Sequence, residues 1–216
     1  MTAHSEQRAT FDHLVFASRD LTSGMDWVET HLGMRPTPGG EHGYFGTHNA
    51  LLPFQRGYLE VIAINPAAPQ PTHPRWFELD TPAMHERLRS GPALIHWVAG
   101  VTSIERAVRR STEDHGDVLA LSRGTNRWQL TVPPDGSLPM QGVLPSLIQW
   151  ESLAPNARPP GSDMTLERLH LRTPHPERLH AALDALGFIG TPLDVTQGNT
   201  ALRATFQTAG GPVTLP

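Results

Sequence analysis

Apolar and polar positions alternate over Phe11–Phe16 and then change period. Phe11, His13 and Val15 fall on one face of an expected strand, with Leu14 and Phe16 on the other. Past a short turn, Met25, Val28 and Leu32 recur at helical spacing, and Gly33 supplies a left-handed end for that helix. The same order returns further along. Leu94, His96 and Val98 share a strand face opposite Ile95 and Trp97. Thr102 and Glu105 then have capping-box spacing, Ile104, Ala107 and Val108 form a buried stripe, and Gly116 closes the helix. The interval from histidine to closing glycine is the same in both copies, 13 to 33 and 96 to 116. A third strand and helix, over 166–187, ends on Gly187 but lacks the histidine. An ungapped overlay puts Glu167 opposite His13, and a one-residue slip that restores the apolar alternation puts Arg168 there. This copy reads as structural.

Strands follow each strand–helix unit. They are expected over 43–54 and 57–65 in the first copy, and over 117–124, 127–134 and 143–153 in the second. A hairpin around Gly210-Gly211 ends the third. Gly39-Gly40 reads as a turn before the strand that carries Tyr44. Proline-rich linkers lie at 65–74 and 154–162, and a short helix is expected around 81–89. The pattern predicts an α+β fold of tandem β-α-β-β-β modules, with two curved antiparallel sheets enclosing a cleft and a partial third β-α repeat at the C-terminus. The expected boundaries, within a single domain over 1–216, are module one at about 9–66 and a linker with its short helix at 67–92. Module two follows at about 93–155 and the partial third repeat at about 163–216.

Composition narrows the function. The 216 residues hold 21 prolines and 19 glycines, which favours short elements and tight connections. With 17 basic and 21 acidic residues the net charge is −4, and no clustered positive field is present to displace counterions from a nucleic acid. No apolar run is long enough to span a membrane. The N-terminal residues lack the apolar stretch of a secretory signal, so the cytoplasm is the default location. Cysteine is absent, which leaves the 12 histidines and the carboxylates as candidate transition-metal ligands.

Three titratable side chains interrupt otherwise apolar strands: His13 in TFDHLVF, Glu60 in GYLEVIA and His96 in ALIHWVA. Burying an unpaired carboxylate costs several kcal/mol, which a metal, an arginine or a lasting solvent cleft would remove. His48 and Asn49 are adjacent in mid-strand, so only one can face a cleft. His48 shares its face with the small residues Gly46 and Ala50, which leave room for a ligand. Arg123 and Trp128 flank a turn and suit an anionic or aromatic ligand, or a cation–π staple. Trp150 and Trp76 fit core or rim packing at least as well as ligand stacking. There is no G-x-S-x-G elbow, no P-loop, no G-x-G-x-x-G after a strand and no H-E-x-x-H.

The β-α-β-β-β repeat, opened by DHLVFA and closed by GYLEVIAI, resembles the vicinal oxygen chelate superfamily of glyoxalase I, ring-cleaving dioxygenases and bleomycin-resistance proteins. GTHNALL, YLEVIAINP, LPSLIQWE and the closing GPVTL resemble its glyoxalase-like domain family, from about Phe11 to Leu215. The resemblance implies a divalent metal (Zn, Ni, Fe or Mn) held by the first and last strands of each module. Those ligands would be His13 and Glu60 from module one and His96 from module two. The fourth would be Gln149, counted back from Pro155 as Glu60 is from Pro66, with Glu151 as its rival. Glu60 or Glu151 would be the proton-moving base, and His48, Asn49, Arg123, Trp128 and Trp150 would meet the substrate. The implied activity is that of a lyase, isomerase or dioxygenase acting on a small molecule with vicinal oxygens. The alternatives are a metal-free binding protein of the bleomycin-resistance type and an interaction module with a vestigial cleft. Two modules in one chain can build the cleft alone, and a homodimer is compatible with that arrangement.

Overall fold

The structure, a computed structural model, describes residues 8–152 and 163–216; the second proline-rich linker, at 154–162, lies outside them. The first module runs β1 (Ala9–Ala17), α1 (Leu21–Leu32), β2 (Thr37–His42), β3 (Thr47–Phe54) and β4 (Gly57–Ile64). A short helix α2 (Pro82–Arg87) precedes the second module, which is β5 (Ala93–Val101), α3 (Ile104–Arg110), β6 (Asp117–Arg123), β7 (Asn126–Val132) and β8 (Ser146–Trp150). The C-terminal part comprises β9 (Thr165–Thr173), α4 (Pro176–Leu186), β10 (Phe188–Ile189), β11 (Leu193–Gln197), β12 (Ala201–Thr208) and β13 (Gly211–Leu215).

The tandem modules and the enclosed face agree with the expected fold class, with two corrections. The halves do not form separate sheets. Antiparallel pairing of β1 with β5 joins them into one sheet ordered β2-β3-β4-β1-β5-β8-β7-β6, with β10 beside β1. This sheet curls until its two end strands, β2 and β6, touch. It is also mixed rather than purely antiparallel, since β4 runs parallel to β1 and β8 parallel to β5. The helix carries the chain back so that the next strand runs in the same direction as the first, and two antiparallel reversals then bring the last strand of each module beside the first in that direction.

Strand β2 was not expected. Gly39 and Gly40 lie inside it, at a register shift against β3, and the turn falls later, at Gly43–Gly46. Two further corrections concern α3. It stops at Arg110, short of Gly116, whose left-handed backbone (φ +85°) instead lets the chain pass against the main chain of Val132 and Pro133. Its N-cap is Ser103 rather than the Thr102 capping box, and Gln149 Oε1 accepts the Ile104 N–H at 2.7 Å. Helix α1 is as expected: Asp20 accepts the Ser23 N–H at 2.8 Å, Met25, Val28 and Leu32 are buried, and Gly33 closes the helix at φ +72°.

The C-terminal hairpin forms as read, β12 against β13, but within a four-stranded sheet of its own, ordered β11-β9-β12-β13. That sheet buries Leu169, Leu171, Leu202, Ala204 and Phe206 in one core with α1, α3, α4 and the outer face of the large sheet. Glu167 and Arg168 are both exposed. A second core fills the inner face of the large sheet and holds Val15, Ile62, Trp76, Phe77, Ile95, Val98, Trp128 and Ile148. Gly142, just before β8, has φ +97°, and a Cβ there would lie 2.2 Å from the Ile95 carbonyl oxygen. Gly142→Ala is expected to lower stability by at least about 2 kcal/mol, read by thermal unfolding. A melting temperature within a degree or so of the parent's would contradict this packing.

Candidate functional site

The inner face gains its polar groups from two β-bulges. Between β1 and β5 the register steps from Phe11↔Ala99 to His13↔Val98, leaving Asp12 as the extra residue, and from Val15↔His96 to Phe16↔Leu94, leaving Ile95 extra. Phe11 and Leu94 are therefore turned to the outer core, against the face expected from strict alternation. His13, Val15, His96 and Val98 keep the inner face.

His13 is held on three sides. Its Nδ1 lies 2.6 Å from Asp12 Oδ1, and Asp12 Oδ2 accepts the Trp150 indole N–H at 2.9 Å. A carboxylate only accepts, so Nδ1 carries the proton and Nε2 faces Glu60 Oε2, 3.6 Å away. The imidazole stacks on Tyr58 with centroids 4.5 Å apart. Burial, then the charges of Asp12 and Glu60, push the Tyr58 phenol well above its usual value, so it stays protonated. The other Glu60 oxygen accepts from the Asn49 amide.

Across the cavity Arg123 Nη1 donates to Asn49 Oδ1 at 2.9 Å and to His42 Nε2 at 3.2 Å. His42 Nδ1 then donates to the Thr47 hydroxyl at 3.1 Å. Burial pulls His42 down to about 4, so it is neutral at pH 7 and an acceptor for Arg123. Among the described residues no carboxylate lies within ion-pair distance of Arg123. Trp76, Phe77, Trp128 and Trp150 complete the walls of a cavity with about 400 Å³ of space, part of it open to solvent. Only about 30 Å³ of it admits the centre of a water molecule, well below the ~300–1,000 Å³ usual for ligand pockets.

Of the residues singled out from the sequence, His13, Glu60, Asn49, Arg123, Trp128 and Trp150 meet around this cavity. Four do not. His48 is opposite Ala63 on β4, whereas Asn49 is opposite Ile62 and so shares the Glu60 face; the assignment that gave His48 room beside Gly46 and Ala50 chose the wrong side of the strand. Gln149 turns outward to α3, and Glu151 is exposed beyond the end of β8. His96 is fully buried with both ring nitrogens engaged. Nδ1 donates to the Gly142 carbonyl at 3.1 Å, and Nε2 accepts the Ser146 N–H at 3.0 Å. Burial holds its pKa near 3.

Sheet register identifies the true counterpart of Glu60. Val15 pairs with Glu60 and Val98 pairs with Ser146, so the His13–Glu60 pair of module one is His96–Ser146 in module two. A metal shared by both modules would need two donors from each. Module two offers an imidazole without a free lone pair and a hydroxyl, and among the described residues no three His, Asp or Glu side chains are grouped to hold an ion. The residues present do not fit the implied metal centre.

Sequence reasoning did not find Asp12, His42 or Tyr58. Tyr58 was within reach, two residues before Glu60 on the same strand face, whereas Asp12 enters only through the bulge and His42 through the unexpected β2.

No curated protein sequence matches the chain. A hypothetical protein from Staphylococcus aureus superposes with a TM-score of 0.59 at 12% identity, covering 89% of this chain and 87% of that one, and shares the fold. Methylmalonyl-CoA epimerase from Mycobacterium tuberculosis (TM-score 0.41, 19% identity, 66% and 87% covered) is more distant. So is a single-substitution variant of the Streptomyces coelicolor epimerase in complex with 2-nitronate-propionyl-CoA (TM-score 0.43, 18% identity, 67% and 96% covered). Residues 11–187 match the glyoxalase-like domain family, which takes in both modules and the start of the C-terminal part, and the chain belongs to that family.

Proposed function

We propose that the cleft binds a small anionic molecule and moves a proton on it through His13 and Glu60, with no metal ion taking part. One observation carries this reading. His13, oriented by Asp12 on Nδ1, presents Nε2 toward Glu60 in a cavity where Arg123 has no carboxylate partner among the described residues. Asp12 fixes the tautomer and the orientation of the imidazole. The 3.6 Å gap between Nε2 and Glu60 Oε2 is wider than a hydrogen bond, so neither is tied to the other and both can address an acidic C–H or O–H placed beside the pair. Arg123 would take the charge of the ligand and of any enolate that forms.

The test is solvent exchange. In D2O, the protein purified without a histidine tag should incorporate deuterium at C3 of simple 2-oxo acids, and a chelator should leave the rate unchanged. Glu60→Gln and His13→Gln should each lower the rate by about 10²–10⁴-fold. Loss of exchange on chelation, with recovery on adding a divalent metal, would overturn the metal-independent reading. Binding with no exchange would leave a sequestering protein instead, the reading that the aromatic walls favour.

A further inference from the structure

We infer that the outer face of the C-terminal sheet binds the phosphate group of a small molecule, at a site separate from the His13–Glu60 cleft and independent of the reading above. Strand register builds it. Asp194 on β11 and Arg203 on β12 both pair with His170 on β9, and Thr196 and Ala201 both pair with Arg172. The core takes Leu169, Leu171, Leu202 and Ala204, so the residues between them turn to the other side of the sheet. They line a concavity open to solvent, of which about 400 Å³ admits the centre of a water molecule, against about 30 Å³ in the cleft.

The face is basic in a chain of net charge −4. At its paired positions Arg168, Arg172 and Arg203 stand against one carboxylate, Asp194. That carboxylate is engaged. His170 Nδ1 donates to Asp194 Oδ2 at 3.0 Å, and Nε2 lies 3.1 Å from the Thr205 hydroxyl, which is 3.0 Å from that of Thr214. None of the three arginines has a carboxylate within ion-pair distance among the described residues.

Arg172 is held in place. Its Nε donates to the Asn199 carbonyl at 2.7 Å, and its stem crosses Gly198, where a Cβ would lie 2.8 Å from Arg172 Cδ. The Gly198 N–H is in turn bonded to the Thr173 carbonyl at the end of β9. Anchoring at Nε leaves both Nη groups of Arg172 for a ligand, and Arg203 makes no hydrogen bond or ion pair among the described residues. The two arginines occupy one diagonal of a four-residue square whose other corners are Ala201 and His170. Diagonal positions of an antiparallel pair lie about 7–8 Å apart, close enough for two guanidinium forks to converge on one oxyanion. Two uncompensated guanidiniums match a dianion better than a carboxylate, and the Thr196 and Thr214 hydroxyls add donors. The lining offers no apolar side chain larger than Ala201, so the rest of the ligand is polar. Three arginines are too few to follow a nucleic-acid backbone.

The experiment is an NMR titration of the intact protein at low salt with inorganic phosphate, glycerol 3-phosphate, acetate and a short RNA oligonucleotide. Both phosphates should bind about tenfold or more tightly than acetate, moving the resonances of His170, Arg172 and Arg203 and leaving those of His13 and Tyr58 in place. Equal binding of the two means that the phosphate group alone is read, and tighter glycerol 3-phosphate means that its polar body is read as well; either result supports the site. Arg203→Gln should weaken phosphate about tenfold. Arg172→Lys keeps the charge but loses the fork and the Nε anchor, and should weaken phosphate about fivefold or more. Parent-like affinity in Arg172→Lys would mark a merely charged surface and overturn the inference. So would acetate binding as tightly as phosphate, no phosphate binding below about 10 mM, or RNA affinity that grows with length. Both arginines are exposed, and the ranking of anions uses the unaltered protein, so the outcome does not depend on a variant that fails to fold.

Discussion

His96→Leu should lower the unfolding free energy at pH 7 by about 3–5 kcal/mol, read from urea unfolding, while leaving the shape of the ligand cavity intact. His96 has no exposed surface, and its two nitrogens bridge the main chain before β8: Nδ1 donates to the Gly142 carbonyl, and Nε2 accepts the Ser146 N–H and lies 3.0 Å from its hydroxyl. Leucine has similar bulk but leaves a carbonyl, an N–H and a hydroxyl unpaired in an apolar interior, each at about 1–3 kcal/mol. Its greater hydrophobicity offsets part of that sum. The family's metal arrangement predicts a different outcome for the same change, in which a divalent ion is lost and the apoprotein is little affected. A stability change under about 1 kcal/mol would show that the clasp does not hold the strand, and would return His96 to the list of free donors.

The contrast between His13 and His96 also shows what was legible in the chain. The equal intervals from histidine to glycine placed both residues on the inner face of matching strands, and the tandem modules follow from that repeat. Chain pattern carried no information on what each imidazole meets, because the partners lie far away in sequence: Tyr58 and Glu60 for one, Gly142 and Ser146 for the other. Counting back from a proline chose Gln149 for the last strand of module two. Strand register puts Ser146 there, because the main chain pairs by bulge and turn rather than by distance from a linker. Asp12 was hidden for a related reason. Period-2 alternation sends it to the opposite face from His13, and only the bulge sets the carboxylate against the imidazole and the Trp150 indole. The aromatic walls were visible as residues but not as walls, since Trp76 and Phe77 reach the cavity through a left-handed turn outside any regular element of the repeat.

The protein should also be acid-sensitive in a window set by two buried histidines. An unfolded histidine takes its proton near 6.5, whereas folded His96 resists until about 3 and folded His42 until about 4. Desolvation is the main cause in both. For His42 the Glu60 carboxylate opposes it, while Arg123, His13 and His48 reinforce it; for His96 the Gly142 carbonyl opposes it, and His13 and His115 reinforce it. Between those values the unfolded chain binds more protons than the folded one, so stability rises with pH there. The contribution is complete above about pH 6.5 and is lost as the pH falls through 4 toward 3. Each histidine adds a slope of up to about 1.4 kcal/mol per pH unit, so the pair gives up to about 3 kcal/mol per unit in the steepest part. Burial depresses His115 as well and adds in the same direction. Urea midpoints measured at intervals from about pH 7.5 to about 4.5 should fall continuously below about 6.5, and in His96→Leu the slope should shrink by about one proton. A profile flat to about pH 5 would mean that the folded protein accepts protons on both imidazoles, which the Ser146 N–H and Arg123 hydrogen bonds forbid, since each needs a bare Nε2 lone pair.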